Sequence, residues 1–283
     1  IGSSTNGCYG NWSHSNVGSR EVQQMSEFID FSVHDSVATI LVNRPQMANA
    51  FNPEMMKRFG SCLDEAVEDS SVRIVKIKAA GKNFCAGADL KWLQSVNEYS
   101  YEENVQDALE LSNLMEKLFK LPKPTIGRVQ GAAYGGGAGL IAALDIVICT
   151  KESHFAFSEA RLGMAPSVIA PYLMYRIGPQ NCRRLFLTGE KISADFARQI
   201  GLVDEVVDES KLDEKIDEVI KDMLFGSAEA LQRCKEIAQT IPFLQVEELR
   251  EYTTKCIAQL RMSKEAKKRM SHFLQKMDKK KRS

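Results

Sequence analysis

Thr125-Ile-Gly-Arg-Val-Gln-Gly-Ala-Ala-Tyr-Gly-Gly-Gly-Ala-Gly-Leu-Ile-Ala-Ala-Leu-Asp-Ile-Val-Ile-Cys-Thr150 decides the fold class. Thr125 to Val129 is a short β-branched run. Gly135 to Leu144 opens on glycines and continues in good helix formers, and Asp145 to Thr150 is β-rich again. Such a strand, helix and strand within 26 residues predicts a parallel α/β unit. The same alternation extends toward the N-terminus. Phe28 to Val42 holds two β-rich runs around His34-Asp35-Ser36, the pattern of a hairpin. Asn52-Pro53 supplies an N-cap and a first-turn proline for a helix reaching about Val67. Val72 to Lys78 reads as a strand and Gly81 to Asp89 as a loop. Leu111, Leu114, Met115 and Leu118 mark one face of a helix that Pro122 stops.

Toward the C-terminus a further helix is expected over 179–187. After Val207 strands vanish, and Leu212, Ile216, Val219, Ile220 and Met223 have helical spacing. Residues 227–260 and 263–277 continue as helices. Three regions follow: a leader over 1–24, rich in Ser, Asn and Gly and without periodicity; an α/β core over 25–207; and a helical region over 208–283.

Composition narrows the function classes. The 283 residues are 44% hydrophobic and 26% charged, an ordinary balance for a packed chain. The apolar runs Leu140–Ala143 and Ile146–Cys149 are separated by Asp145 and fall far short of the roughly 20 residues of a membrane span. Thirty-seven basic residues balance thirty-seven acidic ones, but residues 264–283 carry nine Lys/Arg against two acids. Seven cysteines with no CxxC pair suggest neither a disulfide framework nor a zinc site, so a reducing, cytoplasmic setting is expected. GxSxG, GxxxxGK[ST] and HExxH do not occur, and residues 135–139 do not satisfy GxGxxG. A Ser-His-Asp arrangement would have to rest on His34 or His154.

What remains is glycine where backbone must approach something closely, at Ala86-Gly87-Ala88-Asp89 and at Gly135-Gly136-Gly137. Each cluster alone reads as a tight turn. Two such segments facing each other would offer free N–H groups to a developing oxyanion, which is acyl chemistry.

The chain resembles the enoyl-CoA hydratase/isomerase (crotonase) superfamily from about Met25 to Lys281. The resemblance lies in Leu41-Val-Asn-Arg-Pro45 with Asn49-Ala50, Asn83-Phe-Cys-Ala-Gly-Ala-Asp-Leu-Lys91, Gln130-Gly-Ala-Ala-Tyr-Gly-Gly-Gly137, Phe157-Ser-Glu-Ala-Arg-Leu-Gly163 and Ala197-Arg-Gln-Ile-Gly-Leu-Val-Asp204. It implies a spiral of ββα units with a C-terminal helical region used for trimer assembly, often as a hexamer. It also implies an oxyanion hole from the N–H groups of Ala88 and Gly136, with Glu159 as acid/base. Substrate contacts are implied at Ala86, Gly87, Asp89, Leu90, Lys91, Gly135 and Gly139, and at Phe273 and Lys276 near the C-terminus. Coenzyme A enters as part of the acyl-CoA substrate, so no cofactor or metal is expected.

The chain departs from the two-glutamate pattern at one place: Gly139 stands where such hydratases carry their first glutamate. Met164-Ala-Pro-Ser-Val-Ile-Ala-Pro171 replaces the usual glycine-rich stretch and looks like the branch acting on methylglutaconyl-CoA and related branched or terpenoid enoyl-CoAs. The expected reaction is water addition to such a thioester. A Δ3,Δ2-enoyl-CoA isomerase is the alternative, and an RNA-binding protein on the same scaffold a third. The basic tail correspondingly reads as a solvated helix end, a contact for CoA phosphates, or a nucleic-acid contact.

Overall fold

The computed structural model describes residues 23–24 and 28–282. The leader expected over 1–24 lies outside these residues except for Gln23–Gln24, which form strand β1. The chain continues through β2 (Ile29–His34), β3 (Val37–Val42), α1 (Pro53–Glu68), β4 (Ile74–Ala79), α2 (Leu90–Val96) and α3 (Tyr101–Phe119). Next come β5 (Thr125–Val129), β6 (Ala132–Tyr134), α4 (Gly136–Ala143), β7 (Ile146–Thr150), β8 (His154–Ala156) and α5 (Ala170–Thr188). β9 (Ile192–Ser193), α6 (Ala194–Gln199) and β10 (Glu205–Val207) precede the helices α7 (Leu212–Phe225), α8 (Ala228–Thr240), α9 (Val246–Met262) and α10 (Lys264–Arg282).

The hairpin forms where it is expected. Asp35 and Ser36, at φ 47° and 66°, make the turn whose two positive φ values match the strand twist, and Val37 pairs with His34. Asn52 caps α1 by accepting from Met55 N at 2.8 Å. The helix then buries Met55, Met56, Phe59, Cys62, Leu63 and Ala66, a stripe at helical spacing. Truncating the fully buried Phe59 to alanine would cost about 3–5 kcal/mol.

Two sheets organise the α/β part. One has the order β1-β2-β3-β4-β5-β7-β10, antiparallel through β3 and parallel from there on; the other is β6-β8-β9. The units β5-β6-α4 and β7-β8-α5 each place one strand in the large sheet, one in the small sheet and then a helix. An isolated bridge from Cys85 to Ala133 gives the preceding unit a foothold beside the small sheet. The outer face of the large sheet is covered by α7, whose Leu212, Ile216 and Ile220 meet Val37, Ile74, Ile126 and Ile148.

Several elements differ from the sequence reading. α2 begins directly after the expected loop, nucleated by the Asp89 side chain, which accepts from Lys91 N at 2.7 Å. β6, β8, β9 and β10 have two or three residues each, too few for an alternation of buried and exposed positions to show. The helix expected over 179–187 starts already at Ala170 and kinks at Gly178 (φ 76°), before Pro179. The helix expected over 227–260 divides at Pro242, which cannot donate in a helix interior.

Candidate active site

The loop 83–89 is tied down on both sides. Phe84 N and Cys85 N donate to Gln130 O and Ala132 O, and Tyr134 N donates back to Cys85 O at 2.9 Å. On the other side Ala86 N donates to Ala48 O, Phe51 N to Gly87 O at 2.8 Å and Asp89 N to Phe51 O at 2.7 Å. Fully buried Asn49 organises this second edge: its Nδ2 donates to Ala80 O and Asn83 O, while its Oδ1 accepts from Arg44 N. Asn49 occurs in the sequence only as part of a family motif. Its φ of 56°, tolerated best by Asn among side-chain-bearing residues, is the clue to its structural role.

This lacing aims one peptide group. The Gly87 carbonyl accepts from Phe51 N and, at 3.6 Å, from the Cys85 thiol. In a trans peptide the N–H points away from the carbonyl, so the Ala88 N–H is turned to the opposite side. It makes no hydrogen bond among the described residues. Gly87, at φ 106°, is the residue that lets the chain present Ala88 this way.

The second free donor is at the start of α4. Gly135 (φ 48°, ψ −121°) turns the chain out of β6, with its own N–H held by Ala156 O at 3.0 Å. Gly136 is the first helical residue, so its N–H has no intrahelical acceptor, and none is supplied by the other described residues. The helix glycines let other elements come close. A Cβ on Gly136 would stand 3.4 Å from the Phe51 ring, and one on Gly137 would stand 2.5 Å from Cys85 Cβ. Phe51 also bridges to Ala88. The Ala86–Ala88 segment and the α4 N-terminus are thus packed through the same two residues, Phe51 and Cys85.

Glu159 enters from the turn after β8. The turn 159–162 closes on Gly163, and Met164 N donates to Glu159 O at 3.0 Å. The carboxylate lies against Gly135, its Oε1 3.2 Å from where a Cβ on that glycine would stand. Oε2 is buried and has no hydrogen-bond partner among the described residues. Burial pushes the carboxyl above the ordinary 4.5, opposed only by its own backbone N–H. A half-buried carboxyl with one oxygen unpartnered among the described residues, beside two free backbone donors, can move a proton at a carbon next to a polarised carbonyl.

The other expected site residues divide. Ala86, Leu90 and Lys91 are exposed next to Ala88, beside a cleft of about 290 Å³ lined by Arg44, Asn52, Lys91, Trp92, Ser95 and Tyr99 among others. Asp89 turns inward: it caps α2 and lies 2.5 Å from Arg44 Nη1. Burial raises its carboxyl, but Arg44 and the α2 N–H groups more than offset this and hold it below the usual range. Gly139 is buried against Ile169, a residue the sequence reading did not single out. Phe273 and Lys276 are exposed on α10, which is anchored on α9 and, through Arg269, on Phe225 O and Gly226 O. Among the described residues no group of three His, Cys, Asp or Glu is placed to hold a metal, and no helix is long and apolar enough to cross a membrane.

Residues 32–281 match the family described as enoyl-CoA hydratase/isomerase. The 1,2-epoxyphenylacetyl-CoA isomerase of Escherichia coli is 35% identical over 191 residues, covering 66% of this chain and 72% of that protein. A trans-2-decenoyl-[acyl-carrier-protein] isomerase from Streptococcus mutans is 31% identical over 212 residues, 73% of this chain and 80% of that one. The crystal structure of an enoyl-CoA hydratase from Shewanella pealeana superposes with a TM-score of 0.85 at 33% identity, covering 88% of this chain and 94% of its own. With the motifs, the two-sheet ββα architecture and the helical C-terminal region in agreement, the chain belongs to the enoyl-CoA hydratase/isomerase family, the crotonase superfamily of enzymes.

Proposed function

We propose that the protein adds water to a 2-enoyl-CoA thioester of the branched, methylglutaconyl-CoA-like kind. The observation that carries this reading is the buried, unpartnered Oε2 of Glu159 beside the free N–H groups of Ala88 and Gly136. The two N–H groups donate to the thioester carbonyl oxygen and stabilise the negative charge that develops on it as the C2=C3 bond is attacked. The Glu159 carboxylate takes a proton from water, the water oxygen bonds to C3, and the same proton goes from Glu159 to C2, so that one water is consumed. The branched acyl class is supported by the resemblance of Met164–Pro171 to that branch. On this reading the enzyme needs no cofactor beyond the CoA of its substrate, acts in the cytoplasm, and assembles as a homotrimer or hexamer through its helical C-terminal region.

A second reading, Δ3,Δ2-enoyl-CoA isomerisation, is favoured by Gly139, which supplies no second carboxylate beside Glu159. One carboxyl shuttling a proton from C4 to C2 suffices there. The names of the relatives include both reaction types and lend no support to the RNA-binding alternative. Incubation with 3-methylglutaconyl-CoA and, separately, with a 3-enoyl-CoA, followed by mass analysis, separates the two. Product heavier by one water supports the hydratase, and isomerised product of unchanged mass from both substrates overturns it.

A further inference from the structure

Positions 135 and 139 lie one turn apart at the start of α4, where Gly139 N donates to Gly135 O at 2.9 Å. Gly135 is the N-cap of α4 and Gly139 lies in its first turn. The Glu159 carboxylate lies against Gly135, and Ile169 lies over Gly139. A Cβ on Gly139 would stand 2.3 Å from Ile169 Cγ2 and 2.8 Å from Ile169 Cβ. Rotating a side chain about χ1 moves its γ atoms but leaves Cβ where the backbone puts it, so no rotamer of Ile169 relieves the second contact.

The backbone at this point is itself fixed. Ile169 is 2% exposed, precedes the first residue of α5, and accepts from Leu173 N at 3.2 Å, which ties it into the first turn of that helix. Gly139 has no positive φ, so glycine is required there by space and not by conformation. Any side chain at 139 meets a wall that cannot yield without moving α5. Position 139 is one turn along α4 from Gly135, against which the Glu159 carboxylate lies. The space a side chain would take there holds the hydrocarbon of Ile169.

We propose that Ile169 is the specificity-determining residue of this site: by occupying the space of a side chain at position 139, it restricts the acid/base equipment to Glu159 alone. Substrates are thereby limited to those whose proton transfers one carboxyl group can serve from one side. The steric part stands on the geometry; the chemical part rests on reading the chain as an enoyl-thioester enzyme.

The test compares Gly139→Ala in two backgrounds, wild type and Ile169→Gly, the latter chosen because glycine is tolerated at a helix N-cap. Gly139→Ala is expected to lower Tm by about 3 °C or more in wild type, and to leave it unchanged or raise it when Ile169 is glycine. Should Ile169→Gly fail to fold, Ile169→Ala, which removes the 2.3 Å contact and keeps the 2.8 Å one, is expected to give a partial relief. For the chemistry, Gly139→Glu/Ile169→Gly is compared with Ile169→Gly on both enoyl-CoA substrates. The ratio of water-added to isomerised product is expected to rise by about tenfold. An equal Tm loss in both backgrounds, or an unaltered Tm for Gly139→Glu alone, overturns the steric assignment. An unchanged product ratio overturns the chemical one. A wild type that turns over no enoyl thioester refutes the functional reading, while the Tm comparison still decides the role of Ile169.

Discussion

Helices α4 and α10 are opposites. α4 has eight residues, three of them glycine, and is buried along nearly its whole length, so that Phe51, Cys85 and Ile169 come close to its backbone. α10 has nineteen residues dominated by lysine and arginine, and the described side chains Phe273, Leu274 and Lys276 are exposed. In α4 the absent side chains leave backbone N–H groups as the functional surface, held in place by packing from every side. In α10 the side chains themselves are the surface. Chemistry that needs sub-ångström placement belongs to the first kind of region.

The largest effect expected from breaking this contrast is on Glu159. Glu159→Gln keeps the shape and removes the proton carrier, so kcat should fall roughly 100- to 10,000-fold with acyl-CoA affinity nearly unchanged. Turnover within a few-fold of wild type would remove Glu159 from the mechanism. The same group sets a pH dependence. Burial raises its folded-state value above 4.5, so the neutral carboxyl is the form the fold favours. Its stabilising contribution is present below 4.5 and lost as pH rises through the elevated folded value. The Gln variant should therefore gain stability relative to wild type on going from pH 4 to pH 8, with Tm read across that range, while kcat/KM of wild type should rise over the same window as the base ionises.

Next comes the aimed peptide. Ala88→Pro removes the N–H and should cost roughly 100- to 1000-fold in kcat, whereas Ala88→Gly keeps the donor and should cost far less. Equal losses in two folded variants would count against the oxyanion role. A smaller effect should follow from filling the contact under the helix: Gly137→Ala puts a methyl 2.5 Å from Cys85 Cβ and should destabilise by about 1–3 kcal/mol, measured by denaturant titration. A neutral outcome would mean that α4 is less tightly held than its neighbours indicate.

The smallest effect is expected at the other helix. Deleting 264–283 removes a segment of charge +7, nine bases against two acids, and should weaken CoA affinity by roughly tenfold or less while leaving kcat at saturation unchanged. Light scattering on the same sample reports whether assembly depends on α10. Unaltered affinity and unaltered mass would leave the tail a solvated helix end.

Legibility in the sequence followed the same division. The hairpin at Asp35-Ser36, α1 behind its Asn52-Pro53 start, and β5, α4 and β7 carry their own turn, cap and periodicity signals, and they form where those signals place them. The strands β6, β8 and β9 carry none, because two or three residues cannot show a period, and they exist through pairing with one another. Glu159, Ala88 and Gly136 were named through motif resemblance; no local pattern distinguishes one glutamate or one alanine from another.

By itself, then, the sequence determined the alternation of strands and helices and the helical C-terminal quarter, since these depend on short-range periodicity and backbone conformation. Only the tertiary structure decided that Asn49 organises the loop edge, that Asp89 faces Arg44, and that Ile169 fills the space at Gly139. Each of these joins residues 30 or more apart in the chain, as with Asn49 and Asn83, Arg44 and Asp89, or Gly139 and Ile169. Contacts of that range are set by how sheets and helices stack, and no local signal in a single sequence encodes them.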